Sequence, residues 1–186
     1  SNDVFPSAIH LAVLESLRGA LLPALEGLVR DLDSAAARFD GVVKLGRTHL
    51  NDALPVRLGQ EIGGWARQLD SARARVAHAA NELLALPLGG SAVGTGVGAD
   101  PAFAPFAIAR LAEWTGFALR QAPNLFEAMA SRDGLVAVSS TLRGVAVALT
   151  RISNDLRWMA SGPRGGLGEI TLPELQPGSS IMPGKV

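Results

Sequence analysis

An all-α fold, built as a bundle of long helices, follows from three features of the sequence. Apolar residues at 9, 13, 14, 17, 21, 25, 28, 29 and 32 keep the i, i+3/i+4 spacing of one buried helical face. Residues 133–161 make a second uninterrupted run, roughly 40 Å long at 1.5 Å per residue. Between Leu135 and Leu149 that run is apolar or small nearly all round. No set of alternating strand runs is present that would build a sheet core.

The first helix is expected over residues 5–39, with Pro6 near its start, where a missing N–H costs least. Pro23 is expected to kink or split it near Leu22, because proline disfavours the helical conformation of the residue before it. Asp40-Gly41 ends the run, and residues 41–57 read as a polar loop long enough to be suspected of function. Residues 58–84 are helical again. Pro87 and the glycines up to Gly98 then make an irregular turn region, so the uncharged stretch 83–99 is not read as a membrane span. Shorter helices are expected over 101–115 and 125–131, and Gly162-Pro163 stops the long last helix. A helix without a wet face must be enclosed, and the small residues on this one permit close approach of neighbours. The chain offers few helices to surround it, so neighbouring subunits are expected to complete the burial; the alternative is a large monomeric bundle whose other helices lie outside this chain, and periodicity alone does not choose between them.

Composition narrows the function classes. With 48% hydrophobic and 18% charged residues the chain is globular. Seventeen Lys+Arg balance seventeen Asp+Glu, which gives no basis for binding nucleic acid or a membrane surface. The absence of Cys excludes disulfides and thiolate metal sites. The three His, at 10, 49 and 78, are too far apart for a local metal motif. Residues 1–20 lack the basic flank of a signal sequence, and the protein is read as soluble. Richness in Ala, Gly and Arg suggests a GC-rich bacterial source and hence the cytoplasm; a mitochondrial member would look alike in these segments.

The most informative segment is the last, Gly178-Ser179-Ser180-Ile181-Met182-Pro183-Gly184-Lys185-Val186. It resembles the signature loop of the fumarase/aspartase superfamily, GSSxMPxKxN, stopping one residue before the Asn of that pattern. The resemblance runs through almost the entire chain. Ser1-Asn2-Asp3 is similar to the SSND segment of class II fumarases, and Gly46-Arg47-Thr48-His49-Leu50 to GRTHLQDA. Leu58-Gly59-Gln60-Glu61 resembles LGQE, and residues 88–96 resemble LGGTAVGTG. Ala122-Pro123-Asn124 with Phe126-Glu127-Ala128 follows APNKFEA, and Ser161-Gly162-Pro163-Arg164 follows SGPR. Asn51 and Leu125 depart from the usual Gln and Lys, at positions with no proposed catalytic group.

The resemblance implies a metal-free, cofactor-free lyase acting on fumarate and L-malate in the tricarboxylic acid cycle. Removing a proton beside a carboxylate builds a dianionic aci-carboxylate. The site therefore needs a base, cationic or N–H groups around the carboxylates, and an acid near the leaving hydroxyl. By resemblance Ser179 is the base, activated by its anion-stabilising loop, and His49 is the acid/base on the opposite side, acting through a water. Asn2, Thr48, Ser180 and Lys185 hold the dicarboxylate, with Ser1 close by. The family's fold implies that residues 1–186 are part of a central helical domain whose N-terminal and C-terminal domains lie outside this chain. It also implies a homotetramer in which the Asn2, His49 and Ser179 regions of three subunits meet, so that the isolated piece has little activity.

His49 discriminates among the relatives. Aspartases usually carry Gln there, and argininosuccinate lyases usually read GYTH where this chain has Arg47 before Thr48. Both comparisons favour fumarate hydration; the alternative is aspartate ammonia-lyase or another fumarate-releasing lyase of the superfamily. A second alternative is an inactive piece acting only as an oligomerisation core. Taken alone, Ser179 reads as a turn residue and His49 as a structural one; the accompanying motifs reverse that. His10 and His78 are assigned no role, and Gly94-Thr95-Gly96 is read as a structural turn near the site. Trp65, Trp114 and Trp158 are read as packing anchors, and Arg164 as a salt-bridge partner at the end of the long helix.

Overall fold

The computed structural model describes residues 1–174 and 178–182. It resolves into two compact units, residues 1–145 and 146–186, which are taken in turn.

The first unit opens with helix α1 (Val4–Ser16), which passes through a five-residue π-helical segment, Leu17–Leu21, into α2 (Leu22–Arg38). Pro23 was expected to split this helix near Leu22, yet Leu22 keeps helical dihedrals. The reason is local. Pro23 offers no N–H to the preceding turn, and the widened turn lets the Leu22 N–H reach back to the Leu17 carbonyl instead.

Helix α3 (Leu58–Ala80) returns along α2. Its buried residues Leu58, Ile62, Trp65, Leu69, Ala72, Val76 and Ala79 alternate steps of four and three, and Leu83 extends the stripe into a 3₁₀ turn, Asn81–Leu84. That spacing is the seam along which two helices pack with little crossing angle. Each fully buried Leu or Val on it contributes about 1.5–3 kcal/mol. The start of α3 lies hard against the end of α2, where a Cβ on Gly59 would stand 2.3 Å from the Ala36 carbonyl oxygen. Only glycine fits that approach.

Residues 41–57 correct the loop reading. They form an antiparallel hairpin of β1 (Val43–Thr48) and β2 (Asn51–Arg57), with Thr48 opposite Asn51 and Val43 opposite Arg57. A bulge between Leu45 and Arg47 sets Ala53 and Leu54 against Gly46 alone. The two-residue tip is His49-Leu50, both in the left-handed region (φ 52° and 62°). Such tips normally carry Asn-Gly, so the hairpin gave no turn signal in the sequence. It is tied to α3 by Lys44 Nζ, 2.7 Å from Glu61 Oε2, with the Lys44 side chain only 10% exposed. The Leu58 N–H also donates to the Val42 carbonyl.

Past α3, β3 (Ala85–Leu86) pairs in parallel with β4 (Arg120–Gln121). Helix α4 (Phe103–Thr115) packs Ile108 and Leu111 against Leu86 and Leu88. Residues 87–98 form the anticipated glycine turn, and α5 (Leu125–Ala130) follows, capped by Asn124, whose Oδ1 accepts from the Phe126 and Glu127 amides. The buried Asp3 anchors that turn to the start of α1: its Oδ2 accepts from the Gly89 N–H at 2.9 Å and the Ser91 N–H at 3.3 Å. Burial raises the Asp3 pKa, but hydrogen bonds from the Gly89, Asp3, Ser91 and Val4 amides outweigh it and hold the carboxyl below its ordinary 3.8.

Helix α6 (Asp133–Met159) runs from the first unit into the second. Val138, Val145, Ala148, Ile152 and Met159 are buried, whereas Val136, Val147 and Trp158 are about 60% exposed. The full enclosure expected of this helix is therefore not reached within one chain. By length and composition both Val4–Arg38 and Asp133–Met159 could also cross a membrane. Among the tryptophans Trp65 is the buried anchor, but Trp114 and Trp158 are exposed, which corrects their reading as packing anchors within this chain. In the second unit the chain folds back after Met159, with the Gly168 N–H donating to Ser161 O and the Glu169 N–H to Met159 O, both at 2.8 Å. Arg164 is exposed on this turn and pairs with no carboxylate among the described residues, contrary to the expected salt bridge.

Two expectations follow. Because the folded Asp3 pKa lies below 3.8, its charge stabilises the fold above that pH, and the contribution fades as pH falls through the folded value. Asp3→Asn is expected to lose about 1 kcal/mol at pH 7 in chemical denaturation, with the gap to the parent closing in acid; a gap that stays constant with pH would contradict this. Glu61→Ala removes the carboxylate that Lys44 reaches at 2.7 Å and is expected to cost about 1 kcal/mol, less than for a fully buried pair because Glu61 is partly solvated. Hydrogen exchange should localise the loss to the hairpin amides.

Candidate functional site

Ser1 and Asn2 line a cleft of about 650 Å³ in the first unit, with Ala92, Phe126, Met129 and Arg132 among its walls. Asn2 is fixed there by its Nδ2, which donates to the Ala92 carbonyl at 2.9 Å. That bond leaves Oδ1 and one N–H of the amide available to a ligand. Asp3, the next residue, anchors the same turn from the other side. The glycine turn approaches α5 so closely that a Cβ on Gly90 would meet the Met129 sulfur at 2.1 Å, and this contact shapes the cleft wall.

Thr48 and His49 stand elsewhere, at the exposed tip of the hairpin. His49 is exposed in a left-handed backbone conformation, and Asn51 Nδ2 steadies the tip by donating to the His49 carbonyl at 3.1 Å. Holding two non-glycine residues in that conformation stores strain of the kind found at functional turns. The tip does not line the Ser1/Asn2 cleft. One chain thus brings Ser1 together with Asn2, and Thr48 with His49, but does not join the two groups.

In the second unit the half-buried Ser179 Oγ accepts from the Ile181 and Met182 amides, each at 3.3 Å. These bonds, from residues two and three further along, hold the hydroxyl in place within its own turn. Ser180 is exposed beside it. Lys185 lies outside the described residues.

Among the described residues, neither of the other two histidines lines the cleft. His78 is exposed. His10 is half-buried, and its Nδ1 lies 3.2 Å from both the Leu83 and Ala85 carbonyls. Both partners are acceptors, so Nδ1 carries the proton. Burial lowers the His10 pKa, the two carbonyls pull it up, and the charge of Arg132 pushes it down again; the net result lies below the ordinary histidine value. Among the described residues no three His, Asp, Glu or Cys groups converge as a metal site. Sequence reading missed Arg132 on the cleft wall and Asp3, which ties down the neighbouring glycine turn. Asp3 sits beside Asn2 in the SND segment and could have been flagged by that adjacency. Arg132 had no signal, because only folding brings it to the Asn2 wall.

Comparison with known proteins fits this geometry. The chain matches the lyase family over residues 1–186. It is 52% identical over its full length to a class II fumarate hydratase of Nitrosomonas europaea and to one of Thermus aquaticus, covering 40% of each. Among solved structures it is similar to a fumarate lyase:delta crystallin from Brucella melitensis bound to cobalt (TM-score 0.93, 45% identity, all of this chain and 40% of that one). It is also similar to a class II fumarase from Schistosoma mansoni (TM-score 0.92, 36% identity, all of this chain and 42% of that one). The chain therefore spans about two fifths of the length of the relatives it matches, and it belongs to the lyase family.

Proposed function

We propose that the complete protein carrying this chain catalyses the reversible hydration of fumarate to L-malate. The observation that carries the proposal is Ser179 Oγ held by the Ile181 and Met182 amides, in a chain that also presents His49 on a strained, exposed tip. Starting from malate, in the dehydration direction, the ionised Ser179 oxygen takes the C3 proton and becomes a hydroxyl. The electron pair passes into the adjacent carboxylate as an aci-carboxylate and then forms the C2–C3 double bond. The C2 hydroxyl leaves with a proton relayed from His49 through a water, so the products are fumarate and water. Asn2, Thr48, Ser180 and Lys185, with Ser1 nearby, hold the two carboxylates, where neutral donors and one cation offset the charge that develops.

The site is shared between subunits in this reading, since Asn2 and His49 occupy separate surfaces of one chain. A homotetramer would also cover the apolar residues left exposed on α6, and Phe5 and Leu28 on the N-terminal helices. This is a better account of these helices than a membrane span: a lipid-facing Arg143 in the middle of α6 would be costly. The balanced charge and composition point to the cytoplasm.

Two experiments test the reading. In the complete protein His49→Asn and Ser179→Ala should each lower kcat for fumarate hydration about a hundredfold or more while leaving the oligomer intact. Near-normal rates in both variants would remove the assigned roles, and turnover that requires ammonia would replace hydration with ammonia-lyase chemistry. Light scattering of the complete protein should give a tetramer; a stable monomer would contradict the shared site.

A further inference from the structure

Among the described residues, Arg132 is the only charged side chain on the wall of the cleft that holds Ser1 and Asn2. It is half-buried, and its Nη1 donates to the Ala128 and Met129 carbonyls at 3.2 Å and also to the Ser131 carbonyl. Those bonds fasten one nitrogen to the end of α5. The Nε and Nη2 groups have no protein partner among the described residues, and no carboxylate pairs with the guanidinium. Its charge is felt by the neighbouring His10, whose protonation it opposes. Among the described residues no Asp or Glu lines the cleft. Here, then, is a cation held in place by backbone carbonyls, with an edge that those carbonyls do not use and no carboxylate among the described residues of the cleft wall.

The Nε–Nη2 edge of an arginine presents two parallel N–H groups at the spacing of a carboxylate's oxygens, and such paired, charge-assisted bonds are stronger and more directional than a lysine contact. Asn2, on the same wall, supplies a neutral donor and acceptor. We propose that Arg132 is a specificity-determining residue that binds one carboxylate of the C4 dicarboxylate through its Nε–Nη2 edge, beside Asn2. The assignment rests on the reading of this cleft as part of a dicarboxylate site. It gives the Asn2 side of that site a cation of its own, separate from Lys185. The neutral alternative, an arginine that only caps α5, accounts for Nη1 and leaves the other edge unexplained.

The test uses the complete protein, with succinate as an unreactive dicarboxylate and its monoamide succinamate as the control. Calorimetry should show that Arg132→Gln weakens succinate binding about 10- to 100-fold while succinamate changes little. The KM for fumarate should rise more than kcat falls. An equal loss for both ligands, or none for either, would leave Arg132 as a helix cap and overturn the proposal. If Arg132→Gln fails to fold, Arg132→Lys decides. It keeps the charge but loses the paired edge, so succinate should weaken several-fold with succinamate unchanged, and an unaltered ratio would refute the assignment. The two readings fail separately. A parent protein that binds succinate in an Arg132-dependent way but does not hydrate fumarate keeps this assignment and loses the hydratase. One that hydrates fumarate with an unchanged succinate-to-succinamate ratio in the variants loses only Arg132.

Discussion

Helix α3 can bury its stripe from Leu58 to Leu83 only by lying along α2, and most of the first unit is arranged around that constraint. At one end of the stripe, Leu58 and Gly59 sit so close to α2 that the chain between the helices has no room to spread and leaves as a hairpin. The Leu58 amide and the Lys44–Glu61 pair fix the base of that hairpin, so the position of His49 at its tip is inherited from α3. At the other end, Leu83 leads into β3 and the glycine turn, and Leu86 and Leu88 seat α4. Loss of apolar burial along α3 would therefore be felt at both functional surfaces of the unit.

Polar groups then do locally what the apolar seam cannot. Asp3 stands at the N-cap position of α1, where an aspartate would ordinarily cap its own helix, but no side-chain cap is made there. Its carboxylate instead serves the Gly89 and Ser91 amides, 86 and 88 residues away along the chain. The bond from Asn2 to Ala92 adds a second tie between the same segments. A buried carboxylate that accepts from two amides of the turn favours one arrangement of it, because another would leave that charge and those amides unpaired. Asn2 is thereby presented in one orientation, which is what a hydrogen-bonding site requires of its neutral groups.

The chain's surface also explains why the candidate groups are dispersed. Apolar side chains on α6 and the N-terminal helices remain in contact with solvent in one chain, while the Asn2 cleft and the His49 tip occupy separate surfaces of the first unit. Both facts find one account if copies of the chain pack helix against helix and each supplies a different corner of the site. Dispersal within a chain is then a consequence of where the apolar faces lie.

The sequence by itself determined the helices, because their periodicity is local: residues 58–84 and 133–161 needed no partner to declare a helical period, and the observed α3 with its 3₁₀ turn and α6 match them closely. It also marked Asn2, Thr48, His49, Ser179 and Ser180 through short motifs whose residue order is itself the signal. The hairpin was not legible, since a His-Leu tip lacks turn chemistry and its left-handed backbone is imposed by strand pairing. Pro23 was read as a kink or a split, and the helix continues through it by way of a π turn. The roles of Asp3 and Arg132 were decided only by tertiary structure. Each acts across a contact between segments far apart in the chain, and no local pattern of residues encodes such a contact before the α3 seam has brought them together.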